Sequence, residues 1–309
     1  MDKEIKNTIK AANKNAQYDE KAKKLLGHKY ILAYILAKTV DEFKMMDIKD
    51  IVLHIEGEPM IGTVPIEAGM TNTEKENGAN LVGFNSENAE INEGMIRFDI
   101  VFYVRMRDGL SQIIINVEAQ KDEPTGYDIL NRATFYVSRL ISSQKGRDFV
   151  NTNYDDIKRV FSIWICMNMK ENSMNHMHLI DEPMVGDYHW KGKRDIINIV
   201  MIGLSDELPE HDETYELHRL LGALLSKRLS VNEKLNIIGN EYDIPLEESL
   251  RKDVSVMCNL SQGIREDTIK EIVIKMHNKG YTLEQIMDLT EKSTEEIKAI
   301  IEENEFALV

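Results

Sequence analysis

The sequence predicts an α/β (α+β) protein in which helices flank a central mixed sheet and an all-helical region follows. Three observations predict it: helical spacing of apolar residues over 20–46, short apolar runs at 95–105, 112–120 and 160–167, and a return to helical periodicity from about 213 onward. The chain divides accordingly into residues 1–212 and 213–309, the second part ending in a compact unit over about 266–303.

Leu25, Leu26, Ile31, Leu32, Ile35, Leu36, Val40 and Phe43 mark one or two helices within 20–46. Short β-like runs follow at 51–55 and 59–65, and residues 71–93, rich in Asn, Glu and Gly, read as an exposed loop or an irregular hairpin. Strands over 95–105 and 112–120 are joined across Asp108-Gly109, a hairpin turn signal. Pro124 and Gly126 break the chain before a helix of about 127–145. Its residues Ile129, Leu130, Ala133, Val137, Leu140 and Ile141 form one apolar stripe, and Arg132, Tyr136 and Arg139 share another face.

A strand over 160–167 returns to the sheet, and 196–204 is a further strand candidate. Between them, His176-Met-His178 lacks zinc spacing and reads as part of a flexible loop, while Trp164 and Trp190 read as core or packing residues. Helices are expected over 217–229, 232–242, 246–260 and 266–278. Capping boxes at Thr282-Leu-Glu-Gln285 and Ser293-Thr-Glu-Glu296 start two short helices, so the last three helices resemble a helix-turn-helix.

A chain of 309 residues with 42% hydrophobic content can hold one generous domain and a smaller appendage. No apolar stretch approaches the roughly 20 residues that span a bilayer. The polar opening has no signal-peptide h-region, so a cytoplasmic protein with no membrane partner is expected. Cys166 and Cys258 read as buried free thiols, against a disulfide scaffold or a zinc site. A net charge of −15 opposes tight DNA binding. Residues 241–309 carry 16 acids and 8 bases, a net of −8, whereas 121–170 carry 8 bases and 6 acids, a net of +2. Any DNA-facing surface is expected in that middle segment, with weak, strongly salt-sensitive binding.

Asp99 and Glu118 stand out against this background. Phe98-Asp-Ile-Val-Phe-Tyr-Val104 carries an acid on an apolar strand, and Ile113-Ile-Ile-Asn-Val-Glu-Ala-Gln120 closes another with Glu-Ala-Gln. A carboxylate at the end of such a strand is costly to desolvate unless it binds something. Two of them on adjacent strand ends can hold one hard divalent cation, the minimum equipment for metal-assisted phosphodiester hydrolysis. Side-chain alternation gives Asn116, Glu118 and Gln120 a common face, with Lys121 on the other.

The Asp, one-hairpin gap and Glu-x-Gln resemble the PD-(D/E)XK nuclease superfamily. Glu118-Ala-Gln-Lys121, Gly126-Tyr-Asp-Ile129, Arg132, Phe135-Tyr136, Ile141-Ser-Ser-Gln144 and Ser162-Ile-Trp-Ile-Cys166 follow in an order that resembles the PD-(D/E)XK nuclease family transposases, or Rpn-like recombination-promoting nucleases. Lys29-Tyr-Ile-Leu-Ala-Tyr-Ile-Leu36, Glu42-Phe-Lys44, His54-Ile-Glu-Gly57 and Met257-Cys-Asn-Leu-Ser261 agree with it.

The resemblance implies a restriction-endonuclease-like core and a Mg²⁺ or Mn²⁺-dependent endodeoxyribonuclease linked to recombination or mobile DNA. Asp99, Glu118 and the Ala119 carbonyl would hold the metal, and Gln120 would orient the attacking water. Glu42 would add a ligand, with Glu56 and Glu58 as competitors. Arg132, Tyr136 and Arg139 would contact DNA, Gln144 has no assignable chemistry, and a homodimer follows by analogy. No nucleotide or organic cofactor is implied. Gln120 stands where the superfamily commonly has lysine, and a neutral amide supplies hydrogen bonds but no charge. The alternative is an inactive nuclease fold serving as an interaction module through its acidic helical C-terminal region.

Overall fold

The computed structural model describes residues 17–18, 20–61, 73–76, 79–82, 87–90, 94–97, 99–106, 109–118, 127–146, 148–149 and 151–306. Helix α1 (20–26) leads into α2 (Lys29–Thr39) and α3 (Ile48–His54), and then into β1 (Ile55–Ile61). The stretch expected as a loop or hairpin contains two small hairpins, β2 (Thr73–Glu76) with β3 (Ala79–Val82) and β4 (Glu87–Glu90) with β5 (Gly94–Arg97). The run expected as one strand over 95–105 is therefore divided: β5 pairs with β4, and only β6 (Ile100–Met106) joins the main sheet. β7 (Gly109–Glu118), α4 (Ile129–Ser143), β8 (Val160–Met169), β9 (Ser173–His178) and β10 (Ile197–Ser205) complete the mixed α and β part.

The main sheet has six strands in the order β1-β6-β7-β8-β10-β9. β1, β6 and β7 form an antiparallel meander, β8 and β10 run parallel to β7, and β9 closes the edge antiparallel to β10. Met106 pairs with Gly109, so β6 and β7 form a hairpin, and Asp108 of the expected turn lies outside the described residues. The apolar alternation along the strands feeds two layers. Ile100, Phe102, Val104, Phe161, Ile163 and Ile165 pack with α1, α2 and α5 (Glu216–Leu225), while Val101, Tyr103, Val160, Trp164, Cys166 and Ile199 pack under α4. Ala133, Val137 and Leu140 form the buried stripe of α4, as its periodicity predicts.

Four expectations change here. Residues 51–54, expected within a β-like run, are the end of helix α3, and the strand begins only at Ile55. His176 and His178 lie on β9, not in a loop: their backbone pairs with β10, and the His176 ring lies 3.0 Å from Asn198 Oδ1. Trp190 is 76% exposed and stacks edge-on with Tyr188 outside the core, whereas Trp164 is fully buried. The helices expected at 246–260 and 266–278 are one helix, α7 (Glu248–Asn278). Leu250, Val254 and Met257 hold its first half in the main core, and Val273 holds its second half against α8 (Leu283–Thr290) and α9 (Thr294–Phe306). Packing at both ends outweighs the roughly 1 kcal/mol that Gly263 costs a helix interior. α7 stops where Gly280, at φ +82°, reverses the chain and donates to His277 O. α6 (Val231–Asn236) ends in a π-helical turn over 237–241.

Candidate functional site

Sheet register decides where the two acids lie. Asp99 immediately precedes β6, whose first residue, Ile100, pairs with Ile115, and Glu118 is the last residue of β7. Both positions therefore sit at one end of adjacent strands, and strand spacing and rise put their backbones about 8 Å apart. Position 118 is in register with Cys166 on β8, so the same end continues onto the neighbouring parallel strand. Asp99 is mostly buried and forms an ion pair with Lys23 Nζ at 2.8 Å. The carboxylate thus already faces a positive charge, and its donor chemistry fits a hard cation. Ala119 and Gln120 lie outside the described residues, as does the side chain of Glu118. Among the described residues no group of three or more His, Cys, Asp and Glu side chains is placed to hold a metal ion.

Glu42 does not join this end. Its Oε1 accepts from Arg159 Nη2 at 3.1 Å, and the same Nη2 lies 2.8 Å from Met106 Sδ. Met106 is the last residue of β6, about 24 Å along the strand from Asp99 at about 3.4 Å per residue. The physical reason is charge pairing: Arg159 enters the sheet nearly buried, and Glu42 and Asp195 neutralise it there. Of the competing acids, Glu56 pairs with Arg105 and Glu58, 88% exposed, with Lys29.

Of the three proposed DNA contacts, α4 presents two together. Arg132 stacks over the rings of Tyr136 and Trp164 at 5.1 and 5.4 Å, and its guanidinium donates to Tyr136 and Tyr127 hydroxyls at 3.1 to 3.2 Å. Trp164 is in register with Asn116, so this stack stands beside the strand that carries Glu118. Arg139 is 4% exposed, and this removes it as a DNA contact. Leu130 and Phe135 in the first turns of α4 are exposed, whereas Arg139 and Leu140 nearer its end are buried.

Gln144, which carried no chemistry in the sequence reading, is structural. Fully buried, it accepts from Lys158 N at 2.8 Å and donates to Lys158 O at 3.0 Å, fixing the entry to β8. Lys23 is the residue that sequence reasoning missed. A Lys-Lys pair on an amphipathic helix reads as solvated, and only the fold turns one of the two inward. Cys166 is buried as expected; Cys258 is half-buried, and its thiol is pushed up by burial. No helix among the described residues is long and apolar enough to cross a membrane.

The chain matches no family model, no curated protein and no solved structure.

Proposed function

We propose that this protein is a metal-dependent endodeoxyribonuclease with a PD-(D/E)XK restriction-endonuclease-like core. The observation that carries the reading is the register that brings positions 99 and 118 to the same end of β6 and β7. The element order supports it too: helix, three-strand meander, helix, then a parallel strand beside the third. Asp99 and Glu118 would hold Mg²⁺ or Mn²⁺, with the Ala119 carbonyl beside them. The ion, when bound, supplies a Lewis acid and lowers the pKa of water. Gln120 would orient the water. Arg132, held by Tyr127, Tyr136 and Trp164, would meet the DNA phosphates.

Water adds its oxygen to phosphorus, the bond to the leaving deoxyribose oxygen breaks, and one proton ends on that hydroxyl while the other leaves to solvent. The link to recombination or mobile DNA rests on the sequence resemblance, as does a homodimer.

Mn²⁺ calorimetry tests the reading. The wild-type protein is expected to bind the ion with heat that Asp99→Ala and Glu118→Ala both abolish. Folded wild type showing no binding would point instead to the interaction module. That second reading is favoured by the acidic three-helix unit, whose small core of Val273, Ile286 and Ile297 leaves Ile272, Tyr281 and Leu289 exposed.

A further inference from the structure

We propose that Lys23 is a catalytic residue of this nuclease, supplying from helix α1 the positive charge that Gln120 cannot. The inference rests on the nuclease reading and concerns the part of the site that the Glu-x-Gln sequence leaves incomplete. In that sequence the neutral amide can hold a water but cannot offset the charge of a phosphodiester.

The fold puts a lysine at the same strand ends from another direction. α1 crosses this end of the sheet so closely that a methyl group at Gly27 would meet Ile61 Cδ1 at 2.9 Å. Ile61 pairs with Ile100, the residue after Asp99. From four residues before Gly27, Lys23 reaches Asp99 with its ammonium 2.8 Å from Oδ1. The next residue shows that this is not a property of the helix surface in general. Lys24 remains 54% exposed and turns to Asp253 at 3.0 Å, whereas the Lys23 side chain is only 15% exposed.

Asp99 cannot serve an ammonium and a divalent cation equally. When the ion takes the carboxylate, the Lys23 head group is freed from most of that attraction while its backbone stays anchored. Its four-carbon stem lets the charge swing to a phosphate oxygen at the same place. α1 is well fixed for this task, because Ala22, Leu25 and Leu26 around Lys23 are fully buried. A lysine that merely neutralised a half-buried acid would look the same in the free protein, so the two roles are separated by opposite effects on metal and on turnover.

The experiment compares wild type, Lys23→Met and Lys23→Arg by thermal melting, Mn²⁺ calorimetry and Mn²⁺-dependent plasmid cleavage. Lys23→Met is expected to bind Mn²⁺ at least as tightly as wild type, since a competing charge has gone from Asp99. It should cleave about a hundredfold more slowly, the scale of losing one preorganised electrostatic contact. Lys23→Arg, which keeps the charge, should keep most of the rate. An active wild type with Lys23→Met cleaving equally well, per folded molecule, would overturn the role of Lys23 and leave the nuclease standing. Loss of Mn²⁺ binding together with cleavage would also overturn it, because Lys23 would then only order Asp99. A folded wild type that neither binds Mn²⁺ nor cleaves would overturn the nuclease reading itself, and Lys23 with it.

Discussion

Gln144 satisfies both the N–H and the C=O of Lys158 from a fully buried position. Gln144→Ala strands two backbone groups, so a loss of about 2–4 kcal/mol is expected in urea denaturation. Arg219 grips Glu241 through Nε at 2.6 Å and Nη2 at 2.8 Å, and this hydrogen bonding holds the Glu241 carboxyl below its usual range. Because the folded-state pKa is lowered, the stabilisation is present above the ordinary carboxylate pKa and is lost as pH falls through the lowered one. The melting advantage of wild type over Glu241→Gln should therefore shrink on acidification between about pH 5 and pH 3. An advantage that stays constant would assign the contact to packing. Among single residues, Asp99 and Glu118 stood out in the sequence because an acid in an apolar run contradicts its surroundings, and the register puts both positions at one end of the sheet. Arg139 and Lys23 did not, since helical spacing places a side chain on a face without saying what covers that face.

At the scale of elements, local signals were readable and long-range ones were not. The capping boxes at Thr282 and Ser293 both form, with Gln285 and Glu296 closing back onto the cap N–H groups. Thr282→Ala should cost about 1 kcal/mol. It should also speed amide exchange in α8 and α9 while leaving β8 protected, which hydrogen-exchange mass spectrometry reads directly. Equal acceleration in β8 would show that the C-terminal unit unfolds only with the rest. α4 and β8 were readable from apolar stripes and runs. β9 was not: Ser173 to His178 is a polar, mostly exposed edge strand whose order comes from pairing with β10, with partners 20 to 30 residues later in the chain. The continuity of α7 was hidden for the same reason, because the contacts that hold it come from distant residues.

For the whole molecule, charge and architecture pull in different directions. A net charge of −15 repels DNA, while the end of the sheet that carries Asp99 and Glu118 also presents Lys23 and the Arg132 stack. For the proposed nuclease this implies weak binding whose log affinity falls with log salt by about one unit for each phosphate contact. Fluorescence anisotropy with duplex DNA in Ca²⁺ should show that slope fall by about one unit in Arg132→Ala. An unchanged slope would remove Arg132 from the interface. The pairing that makes neighbours of the two acids was readable from the hairpin signal, whereas the full order of the six strands was not. The fold also sends Glu42 to the opposite end.

The most direct measurement is cleavage of supercoiled plasmid at low salt with Mg²⁺ or Mn²⁺, using wild type, Asp99→Ala and Glu118→Ala in parallel. Nicking or linearisation that disappears in both variants and on chelation is the predicted result. A folded wild type that leaves the plasmid intact at every salt concentration, or cleavage that both substitutions leave unchanged, would contradict it.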